Sequence, residues 1–337
     1  MPGCMRGREG EGESARPPGG DPRSHDAPQY TTNPRNLQPE RHWQCLRICL
    51  YYCPMSPSEA YAWCASLARG HYENFPVASL LLPRTERRSL TAIYAFARVA
   101  DDMADEGDLP PDQRLRRLDD WETRLTECVA GRADHPVFIA LGDTIARHSL
   151  PPTLLADLLT AFRLDVTRSR YRSYEELLGY CRCSANPVGR LVLRVFDAAT
   201  PATDAWSDAI CTGLQLANFW QDLAVDLARG RIYLPLDDCA RFGYHENDLV
   251  AGRRDARFRD LMRFEVERTR ALFEEGKPLL RHAGARLRRE LRLTWLGGTE
   301  ILRSIERNGF DTLAHRPVLT RPRAARLLVR ALLPVPL

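Results

Sequence analysis

Two pairs of aspartates are the residues of this 337-residue chain whose spacing points most directly to chemistry. Asp101 and Asp105 lie in ARVADDMADE, and Asp222 and Asp226 lie in QLANFWQDLAVD. The apolar residues around each pair recur at three- and four-residue spacing, so each pair is expected on one face of a helix, with Cβ atoms about 5–6 Å apart. A solvated acidic face is the alternative for either motif alone, because 44 of the 337 residues are acidic.

The second pair continues a polar stripe along its helix. Asn218 and Gln215 precede Asp222 by one and two turns, and large apolar residues surround them. Buried carboxylates are unfavourable unless they are paired or bind a metal, and Mg²⁺ takes one or two carboxylates together with waters and phosphate oxygens. We therefore predict a Mg²⁺ site, with a diphosphate between the two helices, whose protein ligands are Asp101, Asp105, Asn218, Asp222 and Asp226.

Basic and phenolic side chains stand close to both pairs in the sequence. Guanidinium groups bind phosphate oxygens bidentately and stabilise a pyrophosphate leaving group. A surface charge is the alternative for any single arginine, since the chain has 48 lysines and arginines. The candidate diphosphate-binding residues precede the first pair or follow the second, and they are Tyr94, Arg98, Arg229, Arg231 and Tyr233.

Helical periodicity dominates the chain beyond its first 54 residues. No Gly-rich strand-to-helix turn and no internal repeat is present, which argues against a Rossmann domain or a P-loop. We predict an all-α fold, with residues 55–337 forming one helical domain around a central cavity. The predicted helices span 87–106, 111–130, 151–166, 174–197, 204–228, 255–282 and 285–307.

Residues 1–54 are predicted to be a disordered leader, or a product of an overextended start codon. Residues 1–40 are rich in Gly, Pro and charged residues and nearly lack large aliphatics, so they cannot bury enough apolar surface to offset the entropy of ordering. A helix is expected to begin just after Met55, capped by Ser56 or Ser58. We expect residues 1–54 to be dispensable for folding and activity.

The composition limits the partners and the compartment. A net charge of +4 is too small to indicate nucleic acid, and ten irregularly spaced cysteines favour free thiols in a reducing, cytoplasmic setting. No apolar run of 18 residues is present. RPRAARLLVRALLP, from residue 321, alternates arginines with aliphatics, which predicts peripheral contact with the inner face of a membrane. A helix packed on the domain is the alternative.

Three further segments resemble the squalene/phytoene synthase family from about His71 to Pro317. RxYLP of that family is matched by Arg231 to Pro235, its D-x(5)-Y segment by Asp165 to Tyr171, and its YCxxxAxxVG helix by Tyr180 to Gly189. The resemblance implies the all-α isoprenoid synthase fold and a Mg²⁺-diphosphate centre. It also implies ionisation of a prenyl diphosphate to a carbocation in an apolar cavity.

Two departures from the usual pattern, ENFPVAS from Glu73 and SANPVGR from Ser184, look like the bacterial hydroxysqualene synthase branch. That branch implies presqualene diphosphate as substrate in squalene or hopanoid biosynthesis, with water capturing the cation and no NADPH. The alternatives are a head-to-head condensing synthase, an inactive helical partner and a membrane adaptor. The site residues that this resemblance adds are His71, Asn74, Phe75, Asp165, Tyr180 and Asn186.

Asn186-Pro187 is the departure with the clearest physical meaning. Proline has no N–H and disturbs the helical hydrogen bonding, and the adjacent amide is predicted to hold the attacking water. A kink that only serves packing is the alternative.

Overall fold

The computed structural model describes residues 55–70, 82–105 and 109–333. Helices make up the regular structure of this part, and its one isolated bridge pairs Arg170 with Ile232. The predicted leader and three predicted site residues, His71, Asn74 and Phe75, lie outside the described residues. No helix in the described ranges combines the length and hydropathy needed to cross a membrane.

Fourteen helices occupy the described residues, and five of the seven predicted ranges match one helix each to within a few residues. The first seven are α1 (Pro57–Gly70), α2 (Arg84–Asp105), α3 (Pro111–Val129), α4 (Pro136–His148), α5 (Pro152–Thr167), α6 (Tyr174–Ser184) and α7 (Asn186–Val195). The others are α8 (Pro201–Ala228), α9 (Leu236–Arg241), α10 (Glu246–Val250), α11 (Ala256–Gly276), α12 (Leu279–His282), α13 (Ala285–Arg307) and α14 (Arg321–Leu332).

A capping box begins α1, as the sequence predicts. The Glu59 backbone N–H donates to Ser56 Oγ at 3.3 Å, and the Ser56 backbone N–H donates to the Glu59 carboxylate at 2.8 Å. Two amides that the helix itself leaves unpaired are therefore satisfied. Of the two predicted caps, Ser56 is the one that the structure uses.

The buried apolar residues form two clusters, and the aspartate motifs belong to different ones. The first cluster contains the apolar face of α2, including Phe96, and the second contains that of α8, including Trp220. Two helices contribute to both clusters. α5 packs Leu158 in the first and Ala161 in the second, and α7 packs Leu191 in the first and Leu193 in the second. The two aspartate pairs therefore meet at the seam between two separately packed groups of helices.

The sequence predicts one continuous helix over 174–197, but the structure has two helices there. α6 ends at Ser184 and α7 begins at Asn186, with Ala185 between them at φ −108° and ψ −46°. Pro187 lacks the N–H that a continuous helix needs, but a proline in the first turn of a new helix leaves no bond unmade. The Val188 N–H then donates to the Ala185 carbonyl at 3.2 Å.

The predicted helix over 255–282 is also divided, between α11 and α12. α11 ends at Gly276, where a Cβ would lie 2.6 Å from the Trp206 carbonyl oxygen and 2.5 Å from Ile210 Cγ1. Glycine is therefore required where the end of α11 approaches α8. The short α12 follows Pro278.

Helix α4 lies outside the predicted ranges, as do the short helices α9 and α10, and its cap is unusual. His135 Nδ1 accepts a hydrogen bond from the Val137 N–H at 3.1 Å, a role that serine, threonine, asparagine or aspartate usually fills. The imidazole is buried at the edges of Trp63, Trp121 and Phe138. Burial, with a smaller contribution from Arg124, lowers the pKa of His135 to about 3.

The buried His135 predicts a specific loss of stability in mild acid. Its pKa is lower in the folded chain than in the unfolded one, so stability is fully present above pH 6.5 and is lost as the pH falls towards 3. Between pH 7.5 and 5, wild type should lose about 2 kcal/mol more free energy of unfolding than His135→Asn, which keeps a capping oxygen but cannot titrate. Urea unfolding of both chains measures the difference, since their other titrating groups are shared and cancel. Equal pH dependence would contradict the assignment.

Candidate active site

Arg231 joins the two aspartate motifs across the seam. Its guanidinium nitrogens lie 2.5 and 3.3 Å from the two carboxylate oxygens of Asp105, at the end of α2. Its backbone N–H donates to the Asp226 carbonyl oxygen, in the last turn of α8, at 2.8 Å. The hydrogen bonds to Asp105 hold the pKa of Arg231 above its usual range. One residue thus connects both motifs, as the predicted diphosphate clamp requires.

The end of α8 places Arg231 by a Schellman turn. The Gly230 N–H donates to the Leu227 carbonyl at 2.9 Å. This hydrogen bond is enclosed by the wider one in which the Arg231 N–H donates to the Asp226 carbonyl at 2.8 Å. Gly230 has φ +76°, a conformation that glycine adopts without a Cβ penalty. The short sequence Ala-Arg-Gly-Arg therefore turns the chain back towards Asp226.

Two of the family-like motifs are paired with each other by backbone hydrogen bonds. The Ile232 N–H donates to the Ser169 carbonyl at 2.9 Å, and the Leu236 N–H donates to the Tyr171 carbonyl at 3.0 Å. The RxYLP segment consequently lies alongside the end of the D-x(5)-Y segment. This pairing sets Tyr171 and Tyr233 face to face, with ring centroids 5.7 Å apart.

Asp165 brings a further carboxylate to the first aspartate pair. The Tyr180 hydroxyl donates to its Oδ2 at 3.1 Å, and its Oδ1 is buried without a hydrogen-bond partner among the described residues. Burial raises the pKa of Asp165 to about 7, against the lowering effect of Tyr180 and Arg231, and the carboxylates of Asp105 and Asp101 raise it further. The site therefore has more negative charge than its own groups compensate.

Asp226 shows the same shortage of positive charge from the side of α8. Burial raises its pKa to about 6, and the Asp222 and Asp105 carboxylates add to the rise. Because Asp105 belongs to α2, its effect on Asp226 places carboxylates of both motifs within electrostatic reach of one another. The two pairs converge as the sequence predicts.

Two more arginines lie on the aspartate motifs. Arg98 contacts Asp101 at 3.2 Å and Asp102 at 2.5 Å. Arg316 binds both oxygens of Asp222, at 2.5 and 3.0 Å. Sequence reasoning missed Arg316, because it is 94 residues from Asp222 and no local spacing connects them.

Four aromatic rings from separate segments form a cluster beside the carboxylates. Phe219 of α8 stacks on Tyr233 with centroids 3.7 Å apart and planes 9° apart, and Tyr180 of α6 touches both rings. Tyr171 completes the cluster. Burial raises the pKa of Tyr180 and Tyr233 well above the usual range, so both hydroxyls stay protonated. The ring faces provide a dry surface that stabilises positive charge.

A family model described as squalene/phytoene synthase matches residues 68–323. The chain belongs to the squalene/phytoene synthase family. Members of this family are enzymes that use prenyl diphosphates and a divalent metal. The all-α isoprenoid synthase fold predicted from the motifs is confirmed.

Relatives within the squalene/phytoene synthase family carry different activities in their names. Phytoene synthase of Arthrospira platensis is 33% identical over 276 residues, which cover 78% of this chain and 89% of the relative. Hydroxysqualene synthase of Rhodopseudomonas palustris is 39% identical over 209 residues, which cover 61% of this chain and 70% of the relative. The crystal structure of squalene synthase HpnC from Alicyclobacillus acidocaldarius has a TM-score of 0.73 and 42% identity, covering 76% and 96% of the two chains.

The donor set suits the divalent metal of the squalene/phytoene synthase family. Among the described residues, no three His, Cys, Asp or Glu side chains form a cage for a metal ion. Mg²⁺ does not need such a cage, because it keeps several waters and binds through one or two carboxylates and substrate phosphates. The unpartnered Asp165 Oδ1 and the raised pKa of Asp226 mark carboxylates that a divalent cation would compensate. The residues present therefore fit the ion.

Three of the other predicted site residues lie on α2 or α8, and a fourth, Asn186, lies on α7. Gln215 and Asn218 are half-buried on α8, and within the described part of the chain neither side chain forms a hydrogen bond. Tyr94 is half-buried on α2, two turns before Asp101. Asn186 is buried at the start of α7, where its Oδ1 accepts a hydrogen bond from the Thr212 hydroxyl at 2.9 Å.

Substitution of Gly230 is predicted to lower activity by an amount that its effect on stability does not explain. Alanine at this φ is strained by about 1 kcal/mol, and relief of the strain would displace Arg231 from Asp105. Gly230→Ala should therefore lower turnover at least about tenfold. Pyrophosphate release measures turnover, and urea unfolding measures stability.

Gly131 provides a matched control, because it has φ +78° and, like Gly230, open space where the Cβ of an alanine would lie. It follows the end of α3, away from the aspartate motifs. Gly131→Ala should lose a similar free energy of unfolding and keep wild-type turnover. Equal turnover in the two variants would show that the Gly230 turn does not position the site.

Proposed function

We propose that this protein is a hydroxysqualene synthase, which converts presqualene diphosphate and water to hydroxysqualene and pyrophosphate. The observation that carries the proposal is the buried amide of Asn186, held by Thr212. Thr212 precedes Gln215 by one turn of α8, so it extends the polar stripe that ends at Asp222 and Asp226. A polar group is thus fixed beside the polar stripe of α8, which supports water capture by this chain.

The first step is ionisation, which depends on the charged groups of both motifs. When bound, Mg²⁺ would be held by Asp101, Asp105, Asn218, Asp222 and Asp226, and would neutralise the diphosphate. Three of these carboxylates already accept hydrogen bonds from arginines, namely Arg98, Arg231 and Arg316. Each guanidinium can exchange its carboxylate acceptor for a phosphate oxygen when the substrate binds. The arginines then stabilise the charge that develops on the departing pyrophosphate.

The second step is rearrangement of the cyclopropylcarbinyl cation in a dry environment. The stacked faces of Phe219 and Tyr233, with Tyr180 and Tyr171 beside them, offer cation–π stabilisation. The tyrosine hydroxyls stay protonated because burial raises their pKa, so they are poor nucleophiles towards the cation. The cation survives until water reaches it.

The last step is capture by one water. The Oδ1 of Asn186 is occupied by Thr212, which leaves the amide N–H₂ to orient the water oxygen. The new carbon–oxygen bond forms from a water lone pair, and the proton that the water loses leaves with the pyrophosphate. No reductant is consumed. Asn74 is proposed to act with Asn186, on the strength of the branch resemblance alone.

A head-to-head condensing synthase is the second candidate. The match to the Arthrospira platensis phytoene synthase spans 78% of this chain, compared with 61% for the Rhodopseudomonas palustris hydroxysqualene synthase. Such an enzyme would join two prenyl diphosphates to presqualene diphosphate, squalene or phytoene. An inactive partner is less well supported, because clustered aspartates with raised pKa values have no use without a cation.

Product analysis in ¹⁸O-water tests the reaction. With presqualene diphosphate, Mg²⁺ and no nicotinamide cofactor, we expect one alcohol that carries solvent oxygen. Asn186→Ala should divert product to dehydrated or rearranged hydrocarbons, because the water is no longer oriented. Val192→Ala on the same helix is the matched control and should give the alcohol. Turnover of farnesyl or geranylgeranyl diphosphate, but not of presqualene diphosphate, would establish the condensing reaction instead.

Neutralising one aspartate of each pair tests the metal centre. Asp101→Asn and Asp222→Asn should each lower turnover by about 100-fold or more, since the amide is a poorer ligand for a hard cation. The thermal shift that Mg²⁺ and pyrophosphate together give the wild-type protein should also shrink, because ligand binding stabilises only the folded chain.

Asp112→Asn is the control for this experiment, because Asp112 pairs with Arg116 on the exposed surface of α3. It should keep both turnover and the thermal shift. Wild-type turnover in Asp101→Asn and Asp222→Asn would exclude the proposed ligands.

A further inference from the structure

The C-terminal part of the described chain carries most of its exposed apolar surface. Nine large hydrophobic side chains are exposed in the described residues, and six of them lie between residues 318 and 333. Single exposed hydrophobics are ordinary on a protein surface, but a local concentration marks an interaction site. We call this set the C-terminal apolar patch: Val318, Leu319, Leu328, Val329, Leu332 and Leu333.

Helix α14 is apolar on two faces, and only one of them is covered. Leu327 and Ala331, one turn apart, are buried in the second cluster, against α13. Val329 and Leu332 point away from that contact and are 55% and 45% exposed. Packing against the domain therefore accounts for the apolar residues of the first face. It does not account for those of the second face.

The charge of this segment indicates what covers the second face. From Val318 to the end of the chain there is no acidic residue, whereas four arginines occur, at positions 321, 323, 326 and 330. Arg326 and Arg330 are exposed on α14 beside the apolar patch. A surface that combines aliphatic side chains with exposed arginines fits a partner that is apolar inside and anionic outside.

We propose that α14 docks the protein on an anionic phospholipid bilayer, with the C-terminal apolar patch in the interface and the arginines on the headgroups. A second copy of this chain fits the patch less well, because it would bring four more arginines to the same contact. Residues 1–54 carry seven arginines and six acidic residues, so they offer no net negative charge. Nucleic acid would not cover the exposed aliphatics.

The docking helix is connected to the aspartate site through a short segment. The Gln221 side-chain amide donates to the Pro317 carbonyl at 2.6 Å, and Arg316 binds Asp222. Four residues after Pro317, α14 begins. The bilayer contact therefore lies close in sequence to groups of the active site. The docking does not depend on which reaction of the squalene/phytoene synthase family the protein catalyses.

Flotation of the full-length protein with vesicles tests the proposal. We expect it to float with vesicles that contain phosphatidylglycerol in phosphatidylcholine, and to stay unbound with phosphatidylcholine alone. Raised salt should release it, because the headgroup contacts are screened. The partition coefficient should fall about tenfold or more in Val329→Asn/Leu332→Asn, and also in Arg326→Gln/Arg330→Gln.

Matched double variants on other helices serve as controls. Val129 and Val250 are 50% and 65% exposed outside the patch, so Val129→Asn/Val250→Asn should bind like wild type. Arg116→Gln/Arg132→Gln removes two exposed charges elsewhere and should also bind like wild type. Thermal midpoints confirm that every variant folds.

Two results would overturn the docking proposal. One is equal vesicle binding by the α14 variants and their controls. The other is a vesicle-independent change of molar mass, measured by light scattering, in Val329→Asn/Leu332→Asn with unchanged vesicle binding, since the patch would then be a contact between protein chains.

Discussion

Uncompensated negative charge is the constraint around which the site is built. Six carboxylates from α2, α5 and α8 lie at or beside the seam. In the described part of the chain, the guanidinium groups seen to contact them are those of Arg98, Arg231 and Arg316. A diphosphate would add further negative charge to this imbalance. In the proposed reaction the diphosphate would enter together with cations, so that metal and diphosphate would bind as a coupled pair.

The placement of the arginines follows from that constraint. Before substrate binds, each guanidinium lowers the repulsion between carboxylates by pairing with one of them, as Arg231 does with Asp105 and Arg316 with Asp222. These pairs are partly solvated and weak enough to be exchanged. The same three groups can therefore stabilise the carboxylates first and bind the leaving group later.

The sequence predicts the fold class and the placement of each aspartate pair on one helix face, because both depend on helical periodicity, whereas the meeting of the two pairs is predicted from the chemistry of a diphosphate site. A four-residue spacing places Asp222 and Asp226 on one face whatever the rest of the chain does. The contact of Arg316 with Asp222 depends instead on how the segment after α13 crosses α8, which no local pattern encodes. The break between α6 and α7 was ambiguous for another reason, since Pro187 is compatible both with a kinked helix and with the first turn of a new one. His135 as a helix cap is rarer still, and α4 was missed with it.

The division of the core gives the seam a mechanical role. Because α5 and α7 contribute side chains to both clusters, they are the helices that connect the two groups. A bound diphosphate would pull the carboxylate-bearing ends of α2 and α8 together, and its departure would remove that pull. In the proposed reaction, release of pyrophosphate would then accompany a widening of the seam, through two helices that carry neither aspartate pair.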